Sequence, residues 1–295
     1  MASLTAIPHP PVQRAVVLGG GGVAGIAWEI GVAAGLARGG VDLRSADLFV
    51  GTSAGSVAGA QLAGGADLER LLSDQQRPPP DSAERFRPYS QAAADAQNRV
   101  LMEKVDGDLT RARQRIGAFA LRSETPSLAE RRAIVAARLP VAAWPQRLLK
   151  VVAVDVHSGA PRVFGADDGV ALADAVAASC AVPGTWPAVP IGDAMYMDGG
   201  IASITNAHVA AGARQVVVLA PLGYSDGNPV SGHLRAEVAA LEAAGSVVHV
   251  TVPDDESVEA MGENVLDPAR RAPSADAGLA QGLALAASLV PWWCA

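Results

Sequence analysis

The chain has 295 residues and a formal net charge of −7, and half of its residues are apolar although only 4% are aromatic. Such acidity excludes the basic stripe of a nucleic-acid surface and any electrostatic pull toward anionic lipid, so contact with a lipid has to be apolar. Two cysteines, Cys180 and Cys294, are too few for a disulfide framework and have no metal-like spacing, which fits a reducing compartment.

The start, MASLTAIPHPPVQR, lacks a basic stretch followed by an apolar block and so does not read as a secretory signal. No apolar run reaches the roughly 18–20 residues of a membrane span. The expectation is a soluble cytoplasmic protein with an extended Pro-rich tail at 1–13 and one catalytic domain at 14–295. Ala15 to Leu18 reads as a buried strand that stops at four glycines, and Val23 to Arg38 as a helix closed by Gly39-Gly40. Leu48-Phe49-Val50 is a second strand, followed by GTSAG and a helix to about Ala63.

From Gly64 to about Pro140 the chain is charged, favours helix and is broken by Pro78-Pro79-Pro80. Residues 66–140 therefore read as a helical cap inserted over a site at the strand ends. Strand signals resume at Leu148 to Val156 and turn back through HSGAP into Arg162-Val163-Phe164, as in a hairpin. A helix over Val170 to Ser179, a Pro-rich loop and a short strand at Met195-Tyr196-Met197 lead to Asp198-Gly199-Gly200. Gln215 to Leu219 and Ser246 to Val252 are further buried strands around a helix. Alternating strands and helices predict an α/β fold with a mostly parallel sheet covered on both faces, which binds ligands at the carboxyl ends of its strands.

Three glycine-containing turns follow strands. In LGGGGVAG, Gly20-x-Gly22-x-x-Gly25 matches a dinucleotide fingerprint, but the same physics serves a transient oxyanion: glycine permits close backbone approach, and a helix start presents unpaired N–H groups. A purely structural turn stays open as well. A dinucleotide also needs an acid at the end of the second strand, yet Asp42 and Asp47 precede that strand. In Gly51-Thr52-Ser53-Ala54-Gly55, the G-x-S-x-G spacing can raise a serine hydroxyl on a strained turn, with the glycines making room. A chain this rich in small residues can also contain the pattern by chance.

A nucleophilic serine needs a base. Of the five histidines, His9 lies in the tail, His157 in a hairpin turn, His208 near a helix and His249 within a strand. Only His233, ahead of a helix, suits a triad. The other candidate is Asp198, which could equally be an ordinary Asp-Gly turn. Free aspartate, with a pKa of about 4, is a poor base at neutral pH. Apolar surroundings and contact with the serine would have to correct that. Asp155 could line the site but reads rather as the cap of the DVHSG turn, and Trp292-Trp293 could sit at a membrane interface but read rather as cover for a core edge or a subunit contact.

These motifs, in this order, resemble the patatin-like phospholipases: Gly20-Gly21-Gly22-Val23-Ala24-Gly25, then Gly51 to Gly55, then Asp198-Gly199-Gly200, with AASCAVPGTWPAV at 177–189 ahead of the aspartate. The resemblance spans roughly 14–210. It implies a three-layer α/β/α sandwich in which Ser53 is the nucleophile and Asp198 its only side-chain base. It further implies an oxyanion hole from the N–H groups of Gly20, Gly21, Gly22 and Val23, an elbow bounded by Gly51 and Gly55, and no metal or cofactor. Ala24 stands where the family often carries Arg or Lys, and Asn206-Ala207-His208 stands where it often shows Asn-x-Pro. The implied function is a serine lipid acyl hydrolase acting on a lipid or acyl ester, with transient contact at a membrane surface. An acyltransferase or thioesterase on acyl-CoA-type substrates and a non-catalytic lipid-binding module are the alternatives.

Overall fold

The computed structural model describes residues 12–77 and 84–294, so the expected tail falls almost wholly outside it. Strand, turn and helix occur twice at the start: β1 (Arg14–Leu18), α1 (Gly22–Arg38), β2 (Leu48–Thr52) and α2 (Ala54–Ala63). Four helices follow: α3 (Leu68–Gln76), α4 (Gln91–Lys104), α5 (Leu109–Arg122) and α6 (Leu128–Arg138). Then come β3 (Leu148–Asp155), β4 (Pro161–Phe164), α7 (Leu172–Ser179), β5 (Val189–Ile191), β6 (Ala194–Asp198), β7 (Gln215–Leu219), α8 (Leu234–Ala243), β8 (Val247–Thr251), α9 (Asp255–Met261) and α10 (Arg271–Trp293).

One sheet runs in the order β5-β6-β3-β2-β1-β7-β8, with β4 on a flank of β3. The block from β3 to β8 is parallel, whereas β4, β5 and β6 pair antiparallel. Both faces are covered, because successive side chains leave a strand on opposite sides. Val16 and Leu18 of β1 join the core beneath α1, α2 and α10, while Ala15 and Val17 join the core beneath α8. The result is a three-layer α/β/α sandwich.

The placement of β6 governs the rest. Val151 and Val152 of β3 pair with β2 on one edge and β4 on the other, while Ala153 and Val154 pair with β4 and β6. β6 therefore takes the same edge as β2, beginning where β2 leaves it. The two strands run head-on, and the end of β6 at Asp198 meets the end of β2 just before Ser53.

α1 is buried on nearly every side, because α10 lies parallel to it at backbone distance. A Cβ on Gly31 would meet the Ala275 carbonyl, and one on Gly278 would meet the Trp28 carbonyl. Only glycine allows that approach. Trp293, at the end of α10, is buried and donates from Nε1 to the Asp42 carbonyl at 3.2 Å, so this tryptophan is core. Asp155 does cap its turn, accepting from the His157 and Ser158 N–H groups at 3.0 and 2.7 Å. Among the described residues no helix is long and apolar enough to cross a membrane.

Candidate active site

Ser53 sits between β2 and α2 with φ 52° and ψ −118°, a conformation that costs a non-glycine residue on the order of 1–3 kcal/mol. Its neighbours hold it there. The Ser53 N–H donates to Ser179 Oγ at 2.9 Å, and Ser179 in turn donates to the Val152 carbonyl at 2.6 Å. The Ser53 carbonyl accepts from Ser56 Oγ at 2.6 Å and from the Cys180 thiol at 3.1 Å. Gly51 and Gly55 are required by space: a Cβ on Gly51 would lie 2.5 Å from Ser56 Cα, and one on Gly55 would strike the Leu18 carbonyl.

The glycine loop is tied to this turn, since the Gly55 N–H donates to the Gly19 carbonyl at 2.9 Å. Of the four residues expected to supply free N–H groups, Gly20 does not, because its amide is committed to the Ile204 carbonyl at 2.8 Å. The amides of Gly21, Gly22 and Val23, at the start of α1, make no hydrogen bond among the described residues. The Ala54 N–H, in the first turn of α2, is also unengaged and lines the same slot as Ser53, Gly22 and Val23. Sequence reading missed Ala54. Helix geometry could have found it, because the first N–H groups of any helix lack intrahelical partners.

Asp198 is 5% exposed. Burial pushes its carboxyl up to about 6, against the opposing pull of the Ser53 hydroxyl, the Gly200 N–H and the Arg131 charge. Oδ1 accepts from Gly200 N–H at 2.7 Å, whereas Oδ2 completes no hydrogen bond among the described residues. The Ser53 hydroxyl acts on the Asp198 carboxyl without a completed hydrogen bond to Oδ2, as is common in resting sites that tighten around substrate. The basicity that free aspartate lacks is raised here, while the group is still a carboxylate at neutral pH.

No histidine among the described residues lines the slot. The His233 ring contacts the Val230 carbonyl at 3.0 Å, and His208 is taken up by buried Glu237 at 2.9 Å. The acids that a dinucleotide would need are engaged elsewhere: Asp42 with Arg44, and Asp47 with the N–H groups of Gln13 and Arg14. Sequence reading met Asn206 only as a departure from Asn-x-Pro and gave it no role. It adopts a left-handed conformation, φ 51° and ψ 40°, and its buried amide donates to Thr52 Oγ1 and to the Gly199 carbonyl at 3.0 and 3.2 Å.

The fold and this turn place the chain among α/β proteins built around a serine raised between strand and helix. A family model described as patatin-like phospholipase matches residues 16–211, and the chain belongs to that family. Its class is therefore lipid acyl hydrolase. Among solved structures it is similar to VipD from Legionella pneumophila, at 14% identity and a TM-score of 0.45, covering 95% of this chain and 67% of that one. It is also similar to the type III effector protein ExoU, at 16% identity and a TM-score of 0.35, covering 93% of this chain and 54% of that one. Comparison with curated proteins found no match.

Proposed function

We propose that the chain cleaves carboxylic esters of lipids and phospholipids through a Ser53-Asp198 dyad and an acyl-enzyme. The observation that carries this reading is the pairing of a serine on a strained turn with a buried carboxylate that burial brings up to about 6. Asp198 takes the Ser53 proton as Oγ attacks the ester carbonyl. The N–H groups of Gly21, Gly22, Val23 and Ala54 receive the developing oxyanion, each donor worth roughly 3–4 kcal/mol. Collapse expels the alcohol, protonated by Asp198, and leaves the acyl group on Ser53. Asp198 then deprotonates a water that attacks the acyl-enzyme, releasing the fatty acid and restoring the serine.

Residues 66–140 act as the cap in this reading. Arg113 of α5 donates to the Ile201 and Ala202 carbonyls at 3.2 and 2.7 Å, tying the insertion to the turn that carries Asp198. Phe86, Val100, Phe119 and Leu121 are large exposed hydrophobic side chains of the same segment. They supply the apolar contact with a lipid surface that the acidic net charge calls for.

The test is fluorophosphonate labelling read by peptide mass spectrometry. Labelling on Ser53 that vanishes in Asp198→Ala and persists in His233→Ala is expected. A folded wild type that takes no label would overturn the reading and leave a lipid-binding module.

A further inference from the structure

The slot at Ser53 contains a cation that the dyad chemistry does not use. Arg131, on α6, is only 2% exposed, and its guanidinium lies 4.1 Å from the centroid of the Trp186 ring. Nη2 donates to the Cys180 carbonyl at 3.1 Å. Nε and Nη1 are buried with no acceptor among the described residues. Arg131 lines the same slot as Ser53, Ala54 and Gly22.

A buried guanidinium does not shed its charge, and N–H groups removed from water without an acceptor are costly. Burial and repulsion from Arg138 bring its pKa down only to about 10, so it is a cation at neutral pH. The nearby acids do not satisfy it. Glu84 is held by two hydrogen bonds from Arg138, at 2.7 and 2.6 Å, and Asp198, whose Oδ2 also lacks a hydrogen bond, reaches Arg131 through its charge alone. Arg87 lies 5.2 Å from the centroid of Trp186, and its Nε is likewise buried without an acceptor. Arg85 and Arg138 also line the slot, as does Glu84, the partner of Arg138. In a chain with a net charge of −7, the charged residues lining this slot are three arginines and one glutamate.

We propose that Arg131, stacked on Trp186, is the seat for a phosphate-type anion that the substrate carries beside its scissile ester. This rests on the reading of Ser53 as the nucleophile. The cation comes from α6 and lines the same slot as Gly22 and Val23 of the glycine loop, which itself carries no charge. Arg131 is then a specificity-determining residue: it favours acyl esters with a negative charge near the carbonyl over neutral ones of equal chain length. The slot measures about 20 Å³, the space of a single water, and borders a cavity of about 650 Å³ through Val23, Ile26, Glu84 and Arg138. Seating a phosphate requires α6 to move away from the glycine loop.

The test titrates the full chain, wild type and Ser53→Ala, with dodecyl phosphate and with uncharged dodecylglycerol below their micellar concentrations, followed by calorimetry. Dodecyl phosphate is expected to bind at least tenfold more tightly than dodecylglycerol, and inorganic phosphate far more weakly than dodecyl phosphate. Arg131→Gln is expected to abolish the preference and Arg131→Lys to keep part of it. Equal affinity of the two amphiphiles for the wild type overturns the proposal whether or not any variant folds. So does an unchanged preference in folded Arg131→Gln, and so does inorganic phosphate binding as tightly as dodecyl phosphate. Because these are binding measurements, failure of the nucleophile assignment shows separately, as absent fluorophosphonate labelling with the phosphate preference intact.

Discussion

The side-chain amide of Asn206 donates to Thr52 Oγ1 at 3.0 Å and so joins the turn after Asp198 to the residue before Ser53. The same amide reaches the Gly199 and Ser203 carbonyls at 3.2 and 2.7 Å, all of it out of contact with water. Asn206→Ala leaves Thr52 and two carbonyls without that donor, at a cost of about 1–3 kcal/mol. It should lower kcat more than tenfold while KM changes little, because the binding walls stay in place. Steady-state kinetics and denaturant unfolding of the one variant check both effects.

Activity should follow the ionisation of Asp198. In the proposed mechanism the carboxylate is the base, and burial places its pKa at about 6. Below that value the group is protonated and cannot accept from Ser53, so kcat/KM should fall about tenfold per pH unit, with a plateau above. His233→Ala and His208→Ala should leave the limb in place. A limb that moves or vanishes in either histidine variant assigns the base elsewhere.

The same burial penalises the folded state. The folded pKa of Asp198 lies above the value of about 3.9 in an unfolded chain, so folding is disfavoured as pH rises through that interval. The penalty is absent below about pH 4 and complete above about pH 6. Asp198→Asn should therefore be inactive yet more stable than the wild type at pH 8, by roughly 2–3 kcal/mol, with the gain disappearing near pH 4. Urea unfolding at the two pH values tests it.

Strain at Ser53 gives a parallel case. At φ 52° glycine has no steric penalty, so Ser53→Gly should gain about 1 kcal/mol of stability and lose all fluorophosphonate labelling. A loss of stability would mean that the turn is unstrained.

Between α1 and α10 the sign reverses. Gly31→Ala gains helix propensity of about 1 kcal/mol, but its Cβ has nowhere to go beside the Ala275 carbonyl. Overpacking costs typically 1–3 kcal/mol, so a lower thermal midpoint is expected, as for Gly278→Ala. Calorimetry of either variant decides.

Legibility in the sequence followed the strength of local patterning. β1, α1, β2 and α2 carry continuous apolar runs closed by glycine and stand where they are expected. β5, hidden in a Pro-rich stretch, is three residues long and owes its pairing to β6, a tertiary cause. α10 left little trace, because it packs through Gly278 and Gly282 by backbone contact and so needs no apolar stripe of large side chains. At the site, Ser53 and Asp198 were visible as motif residues. The engagement of the Gly20 amide by Ile204 and the bridging by Asn206 depend on chain segments far apart in sequence, which no local pattern encodes.

Because β2 and β6 hang end to end on one edge of β3, that strand serves as a common ruler for two groups 145 positions apart in the chain. Thr52 is opposite Val152, and Asp198 is opposite the next residue, Ala153. A single residue inserted between Val152 and Ala153 would leave β2 and β6 each paired with β3, yet carry the carboxylate about 3.3 Å along and onto the other side of the sheet. The proposed chemistry thus depends on strand register in β3, a segment that contributes no side chain to it.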